Sequence, residues 1–462
     1  MRTLKIHPLD NVQVDLDSGH KYAVIPIAAG ENIIKYGNPI GHALCDIAAG
    51  DHVHTHNMKT NLGDTLTYTY NPQFTPTVPL TSADTFLGYE REDGRVGIRN
   101  EIWIVNTVGC VNKTAKRLAE LTGAKHFEHP FGCSQLGDDH AKTQQILKGL
   151  VNHPNAAGVL VLGLGCENNH IPAFQQVLGT WNERRVKFLI TQDVEDEIAA
   201  GVALIDELKQ YAATFTPKPL PLSKLVVGLK CGGSDGYSGI TANPVVGAFS
   251  DRLIACGGSC VLTEVPEMFG AEHLLMQRCE TEELFNKTVA MVNNFKDYFR
   301  RHDQVIYENP SPGNKAGGIT SLEEKSLGCV QKGGLAPVVD VLDYGDTVTK
   351  NGLSLLNGPG NDIVAVTNLT AAGAHLILFT TGRGTPVGAP VPTIKIATNR
   401  TLAEKKANWI DFDASPLLDG ETMDTMTVKL TEKVIAIAGG EQTKSEQNGY
   451  HEISIFKDGI VL

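Results

Sequence analysis

The chain has 462 residues, more than one ordinary hydrophobic core accommodates, so we expect two or three domains. Its formal net charge of −12 argues against nucleic acid or an anionic membrane as the main partner. No stretch reaches the ~20 apolar residues of a membrane span, the N-terminus lacks a secretory apolar region, and the nine cysteines are scattered. These features predict a cytoplasmic protein with reduced thiols.

The first block, residues 1–75, is predicted to be a small all-β domain. Apolar and polar residues alternate at 12–16, 22–26 and 65–70 between Gly, Pro and Asn turns, which is typical of short strands. A stretch at 76–85 is predicted to be a linker.

Three histidines, His52, His54 and His56, alternate with other residues in this block. On a strand, this spacing would place all three imidazoles on one face. Imidazole binds metal ions and exchanges protons near neutral pH, so the face is a candidate site. Solvated histidines at a polar strand edge are the alternative.

The second block, residues 86–216, alternates predicted strands with predicted helices. The strands lie at 102–105, 159–162 and 187–190, and the helices at 113–121 and 194–212. Nearly continuous apolar strands separated by helices predict a parallel sheet that is covered on both faces. A second predicted linker, rich in Pro, lies at 214–221.

Within the second block, residues 131–140 bring Asp138, Asp139 and His140 to a predicted helix start. These groups are candidates for acid–base chemistry. Helix capping is the alternative, because Asp is favoured at helix N-termini for that reason alone.

The third block, residues 223–462, continues the pattern. Strands are predicted at 225–229, 260–263 and 376–379 and a helix at 281–301. The chain is therefore predicted to be an α/β multi-domain protein, in which a small N-terminal β domain precedes two α/β regions with largely parallel sheets.

Five predicted strands end in loops that combine polar residues with glycine or proline. Ligands of open α/β sheets bind beyond the carboxyl ends of the strands, so the loops predict one composite polar site. Its candidate residues are Cys110, Cys166, Glu167, Lys230, Gly232, Gly233, Ser234, Asp235, Gly382, Arg383, Gly384 and Thr385. The guanidinium of Arg383 can donate two parallel hydrogen bonds to a carboxylate, whereas Lys230 is either a general base or the ion-pair partner of an acidic residue. The cysteines are by default small buried hydrophobic residues, but Cys110, Cys166 and Cys231 all come just after a strand, so iron ligation is the alternative.

Longer motifs follow one another along nearly the whole chain. They lie at residues 54–57, 88–100, 131–140, 162–169, 230–244, 263–270, 313–320 and 380–386. In these motifs the chain resembles the altronate/galactarate dehydratase family, and more closely its altronate branch. The resemblance implies an N-terminal β-clip domain of the SAF type, a divalent metal (Fe²⁺ or Mn²⁺) and often a homodimer. An iron–sulfur cluster is left open.

The resemblance also implies a metal-dependent hydro-lyase that converts D-altronate to 2-dehydro-3-deoxy-D-gluconate and water. A base would remove the C2 proton, and an acid would protonate the departing C3 hydroxyl. Galactarate, a hexarate, is the alternative substrate. Its second carboxylate would require a second positively charged binding group. A non-catalytic sugar-acid-binding protein is the alternative from another class.

Residue type and placement suggest roles within such a site. The catalytic candidates are His54, His56, Lys230, Asp138 and Arg383. The substrate-binding candidates are Gly232, Gly233, Ser234, Asp235, Gly382, Gly384 and Thr385. The candidate metal ligands are His54, His56, Glu167, Cys166 and Cys110.

Overall fold

The computed structural model describes residues 2–63 and 65–461. Its strands are β1 (Thr3–Leu4), β2 (Val12–Asp15), β3 (Lys21–Ala23), β4 (Asn32–Lys35), β5 (Asn38–Ala43), β6 (His52–Val53), β7 (Met58–Lys59), β8 (Thr85–Glu90), β9 (Val96–Gly97), β10 (Glu101–Asn106), β11 (Lys125–Phe127), β12 (Ala156–Gly163), β13 (Val186–Ile190), β14 (Lys218–Pro221), β15 (Val226–Cys231), β16 (Ser259–Leu262), β17 (Val338–Leu342), β18 (Gly352–Leu356), β19 (Leu376–Thr381), β20 (Thr393–Ala397) and β21 (Phe412–Asp413).

Helices occur mainly in the second and third blocks. The α-helices are α1 (Asn112–Thr122), α2 (Gly137–Asn152), α3 (Ile171–Leu178), α4 (Glu197–Ala212), α5 (Ala242–Ala255), α6 (Glu272–Met276), α7 (Glu282–Arg301), α8 (Pro312–Ala316), α9 (Leu322–Cys329), α10 (Asp362–Ala371), α11 (Arg400–Lys405), α12 (Met423–Ala438) and α13 (Lys444–Gln447). Short 3-10 helices lie at Gly109–Val111, Thr191–Asp193, Leu222–Lys224, Val265–Glu267, Val330–Gly333 and Ser415–Asp419. Within the described residues, none of the helices is both long and apolar enough to span a bilayer.

The first domain consists of two small antiparallel sheets, with the strand orders β1-β2-β3-β6 and β4-β5-β7. Their inward side chains are apolar and almost completely buried, as at Val12, Ala23, Ile33 and Val53. The alternation of apolar and polar residues in the sequence therefore reflects strand geometry, because alternate residues of a strand point to the same face. The predicted small β domain is confirmed.

Two predictions for this block are wrong in detail. Residues 65–70 form no strand but an extended strap, in which the Tyr68 hydroxyl donates to Glu272 at 2.5 Å and the Tyr70 ring lies 5.5 Å from that of Phe285. Their alternation reflects packing on the third domain rather than strand pairing. The predicted histidine strand is only the two-residue β6, and the chain turns at residues 54–57.

The second domain contains a four-stranded parallel sheet of order β11-β10-β12-β13. Alternate residues of β10 point to opposite faces: Ile102 and Ile104 pack with α1 and α4, and Trp103 and Val105 pack with α2 and α3. The predicted sheet with both faces covered is confirmed. The Pro-rich stretch 214–221, predicted as a linker, instead contributes β14, which pairs antiparallel with β8. Pro is tolerated there because β14 is an edge strand.

The third domain is a seven-stranded parallel sheet of order β17-β18-β16-β15-β19-β20-β21. Helix α5 covers one face, and α10 covers the other and packs against α2 of the second domain. From β15 the chain continues to β16 on one side, whereas from β19 it continues to β20 on the other. The loops after β15 and β19 therefore diverge, which is the topological switch point at which open α/β sheets bind ligands.

Candidate functional site

A polar crevice of about 450 Å³ lies at this switch point, between the third domain and the first. It is lined by Arg2, Leu16, Asp17, Ser18, Asp235, Tyr237, Gly317, Gly382, Arg383, Asn399, Arg400, Thr401, Ser415, Leu418 and Asp419. The two domains touch so closely here that a Cβ on Gly236 would lie 2.0 Å from the Gly19 carbonyl oxygen. Glycine is thus required for the approach of the two backbones.

Three arginines line the crevice, and one of them has no carboxylate partner. Arg2 pairs with Asp17 and Asp419, and Arg400 pairs with Asp419 at 2.7 Å. Arg383 only donates from Nη1 to the Gly313 carbonyl oxygen at 3.3 Å, and no carboxylate of the described chain lies within ion-pair distance of it. Its exposed guanidinium is therefore available to a ligand carboxylate, and its predicted role in holding one stays a prediction.

Asp235, predicted to bind substrate, mainly organises the crevice wall. Its buried carboxylate accepts hydrogen bonds from Thr398 Oγ1, Asn399 Nδ2 and Ser238 Oγ at 2.9–3.0 Å. Burial raises the pKa of Asp235 above its ordinary value. A Cβ on Gly382 would lie 2.2 Å from Asp235 Cγ, so these two predicted residues are brought together.

The remaining predicted substrate residues lie on the same two loops. Thr381 Oγ1 accepts the Gly384 N–H at 2.9 Å, and a Cβ on Gly233 would lie 3.5 Å from Arg383 Cβ. Ser234 Oγ is buried and has no hydrogen-bond partner among the described residues. Gly232 closely approaches Asp362 and Phe379. Thr385 is half-buried beside Gly384. The two glycine loops thus form one wall, but whether these residues contact a substrate is a prediction.

Lys230 is fully buried in an ion-pair network behind this wall. Its ammonium group contacts the carboxylates of Glu264 and, at 2.8 Å, Asp362. Burial opposes the charged form, but these two carboxylates raise the pKa of Lys230 well above its ordinary value. A lysine held protonated cannot accept a proton, so the geometry argues against Lys230 as a general base and favours its ion-pair alternative.

A second buried group joins two cysteines to a glutamate. Cys231 Sγ lies 2.8 Å and Cys329 Sγ 3.3 Å from Glu267 Oε2, and the two sulfur atoms are 3.2 Å apart. The hydrogen bond from Cys329 contributes most to lowering the pKa of Cys231 to about 6. Within the described chain, this is the one group of three His, Cys, Asp or Glu side chains whose donor atoms all lie within 4.8 Å of one another. These three residues could hold a metal ion.

The charges around this group are compatible with a divalent ion. Three buried ammonium groups surround it, those of Lys230, Lys325 and Lys332, and Lys325 lies 2.7 Å from Glu267 Oε1. Three carboxyl groups, those of Glu264, Glu267 and Asp362, enter the charge balance with these lysines, although burial raises the pKa of Glu264 well above its ordinary value. A divalent cation bound by two thiolates adds no net charge to this balance.

The predicted metal ligands do not form such a group. Cys110 and Cys166 are exposed in the second domain, whereas His54 and His56 belong to the first. The Glu167 carboxylate is already saturated, because it accepts from Thr107 Oγ1 and from the N–H groups of residues 164 and 165. Cys231 and Glu267 carried a sequence signal, since both follow buried strands. Cys329 carried none, because it lies at the end of helix α9.

Asp138 lies outside the crevice lining, in the exposed first turn of α2. Its neighbour Asp139 is buried and accepts the backbone N–H groups of Asp458 and Gly459 at 2.8 and 2.6 Å. Both carboxylates lie in the first turn of α2, but no side chain caps this helix end, and Asp139 holds the C-terminal segment instead. The catalytic role of Asp138 stays a prediction.

The histidines of the first domain meet the third domain at helix α8. His54 Nε2 lies 3.0 Å from the Lys315 carbonyl oxygen, so it must donate, and Nδ1 then accepts from Thr55 Oγ1 at 3.1 Å. Burial lowers the pKa of His54. His56 is exposed and makes no hydrogen bond within the described chain. Helix α8 also contains Gly313, whose carbonyl oxygen accepts a hydrogen bond from Arg383. His54 and Arg383 therefore contact the same short helix.

Comparison with known proteins covers almost the whole chain. The family model for the altronate/galactarate dehydratase SAF domain matches residues 11–61, the second-domain model of D-galactarate dehydratase/altronate hydrolase matches 88–213, and the C-terminal model of D-galactarate/altronate dehydratase matches 222–461. The chain is 52% identical to the altronate dehydratase of Escherichia coli (strain K12), with 100% of both chains covered. It is also 52% identical to the altronate dehydratase of Bacillus subtilis (strain 168), covering 98% of this chain and 93% of that one. Identity to the galactarate dehydratase (L-threo-forming) of Escherichia coli (strain K12) is 31%, covering 99% and 97%.

Proposed function

The chain belongs to the altronate/galactarate dehydratase family, and we propose that it is a hydro-lyase that converts D-altronate to 2-dehydro-3-deoxy-D-gluconate and water. The observation that carries the proposal is the unpaired Arg383 in the crevice at the switch point. The 52% identity to two altronate dehydratases over nearly the full length supports the same substrate.

The charge of the crevice favours a hexonate over a hexarate. A hexonate has one carboxylate, and the guanidinium of Arg383 is available to donate hydrogen bonds to it. Arg2 and Arg400 already form ion pairs with Asp17 and Asp419. They therefore provide no second cationic group for the other carboxylate of galactarate. Polar groups such as Asn399 and Ser18 are available to the substrate hydroxyls.

The reaction needs a base for the C2 proton and an acid for the C3 hydroxyl. The C2 proton is weakly acidic because it lies beside the carboxylate, and a cation held at that carboxylate stabilises the negative charge that develops as the proton leaves. Arg383 provides this charge. We assign proton transfer to His56, which lies outside the residues that line the crevice but is exposed and makes no side-chain hydrogen bond within the described residues. Loss of hydroxide as water then leaves an enol, which takes up a proton at C3 to give the keto acid.

Metal dependence is part of the proposal, with Cys231, Glu267 and Cys329 as the side chains that would hold the ion. When bound, a divalent ion supplies positive charge that stabilises an enolate-like transition state. Thiolate donors suit Fe²⁺ better than Mn²⁺, which prefers oxygen ligands. Two cysteines are also fewer than the four thiolates that usually hold an iron–sulfur cluster, so we favour a single Fe²⁺ ion. The homodimer implied by the resemblance stays a prediction that sedimentation would check.

A product assay tests the proposed reaction. The protein, purified anaerobically with Fe²⁺, is incubated in D₂O with D-altronate, galactarate and other hexonates, and the products are followed by NMR. We expect a 2-keto-3-deoxy acid from D-altronate with one deuterium at C3. Faster turnover of galactarate would contradict the substrate assignment. Saturable binding without product would instead favour the sugar-acid-binding alternative.

A further inference from the structure

Four imidazole rings cluster where the first domain meets helix α8. The centroids of His20, His52 and His54 form a triangle with sides of 5.1, 5.5 and 5.4 Å, and His56 lies 5.6 Å from His52. His20 precedes His52 by 32 residues, and the pairing of β3 with β6 brings them together. The cluster therefore includes a histidine outside the 52–56 motif.

We propose that His20, His52 and His54 form a binding site for a divalent transition metal ion, separate from the buried cysteine group. In a tetrahedral site with metal–nitrogen bonds of about 2.0–2.1 Å, two ligand nitrogens lie about 3.3 Å apart and two ring centroids about 5.2 Å apart. His20 Nδ1 and His52 Nε2 are 3.1 Å apart, close to the first value. All three sides of the ring triangle are close to the second.

Neutral imidazole is the form of the histidine side chain that binds a metal ion. The histidines that pair with carboxylates in the described chain are His126 and His302, not those of the cluster. The nearby ammonium of Lys21 forms an ion pair with Glu324 at 2.8 Å. Neutral imidazole suits ions such as Zn²⁺, Ni²⁺ and Co²⁺.

His54 becomes the third ligand by rotation of its ring. Its Nε2 now donates to the Lys315 carbonyl oxygen and its Nδ1 accepts from Thr55 Oγ1, so turning a nitrogen toward His20 and His52 breaks these two hydrogen bonds. Three imidazole ligands leave a fourth position for water or for a ligand oxygen, as in open zinc sites. The ion lies next to α8, which contacts Arg383 through Gly313.

Equilibrium dialysis of the full-length protein tests the site with Co²⁺ as the probe. The protein is stripped with a chelator under anaerobic conditions, and Co²⁺ content and visible absorption are measured without substrate. In the double variant Cys231→Ser, Cys329→Ser, we expect loss of the sulfur-to-cobalt charge-transfer band but retention of the histidine-bound ion. In the double variant His20→Ala, His52→Ala, that ion should bind at least about 10- to 100-fold more weakly, the loss typical of removing even an outer partner of a ligand.

Two further variants separate ligation from folding. His42→Ala removes an imidazole of the same domain that bonds Asn61 outside the cluster, so Co²⁺ binding should be unchanged. His20→Gln retains a side chain that can hydrogen-bond His52, so it should preserve Tm while weakening Co²⁺ binding. Unchanged Co²⁺ affinity and stoichiometry in the histidine double variant would overturn the proposal. Because no turnover is measured, that result would leave the proposed dehydration untouched.

Discussion

Cys231 and Cys329 lie 98 residues apart in the chain, yet their sulfur atoms are 3.2 Å apart in the folded protein. Cys231 ends strand β15, whereas Cys329 ends helix α9, and Glu267 contacts both sulfur atoms. Cys231 leads directly into the loop that places Gly233 beside Arg383. A metal ion held there would therefore be linked to the crevice through one short stretch of backbone.

Replacing either cysteine of this pair is expected to remove bound Fe²⁺. Cys231→Ser and Cys329→Ser each delete one of three donors, and a hydroxyl is a much poorer ligand than a thiolate. Metal content after anaerobic purification, measured by mass spectrometry, should fall in both variants. Cys260→Ser is the matched control, because Cys260 is equally buried but lies outside the group. Full iron content in both variants would contradict the assignment of these ligands.

Arg383→Ala is expected to raise KM for D-altronate about 10- to 150-fold. The range corresponds to the loss of a charged hydrogen-bonding partner worth about 1.5–3 kcal/mol. Steady-state kinetics of product formation measures the effect. Arg400→Ala should change KM less, because the Arg400 guanidinium already pairs with Asp419 at 2.7 Å. Equal effects of the two substitutions would show that Arg383 has no special role in binding the carboxylate.

Glu324→Gln is expected to lower the free energy of unfolding by about 3–5 kcal/mol, as for other buried ion pairs that lose one partner. Glu324 lies in α9 and binds two buried lysines of the first domain, Lys21 at 2.8 Å and Lys35 at 2.7 Å. Without its charge, the two ammonium groups stay buried and repel each other. Urea unfolding followed by circular dichroism measures the loss. Glu432→Gln, at an exposed position of α12, is the control and should change stability little.

Acidification is expected to destabilise the contact between the two α/β domains. His375 is buried, and burial lowers its pKa to about 4. Its Nδ1 accepts the Val226 N–H, while Asn155 of the second domain donates to its carbonyl oxygen. Above pH 6.5 the histidine is neutral in both the folded and unfolded states, so its contribution is complete. As the pH falls from 6.5 toward 4, the unfolded state binds the proton first, and about 3 kcal/mol of stability is lost.

The variant His375→Gln checks this pH dependence. Glutamine does not titrate, so the slope of unfolding free energy against pH between 4 and 6.5 should be shallower in the variant. The slope is informative even if the substitution lowers stability at every pH. His42→Gln, in the first domain, should retain the wild-type slope. An unchanged slope for His375→Gln would mean that other groups account for the acid sensitivity.

Several features of the fold were predictable because they depend on local patterns. The apolar runs that became β10, β12, β15 and β19 had to be strands buried on both faces, and helices with regular periodicity followed most of them. The position of a ligand crevice beyond the strand ends follows from the same pattern. Family membership was predictable as well, since the motifs are continuous in sequence.

Predictions failed where a residue's partner is distant in the chain. Tyr68 and Tyr70 alternate like strand residues, but they pack on the third domain, which a period of two cannot reveal. The acids that hold Lys230 protonated lie 34 and 132 residues away. The sequence could therefore propose a reactive lysine but not exclude it.

By itself, the amino-acid sequence determined the class of fold, the loops that carry polar residues and the family, because hydrophobic periodicity and contiguous motifs are local properties. Only the tertiary structure decided which polar groups neutralise one another and which stay free. It placed Cys329 beside Cys231 and brought His20 to His52. Among the residues that the structure describes, it left Arg383 without a carboxylate, whereas Arg2 and Arg400 pair with theirs. The physical reason is that charge pairing and ligand geometry depend on distances of a few ångströms between residues far apart in the chain, which only packing of the whole fold fixes.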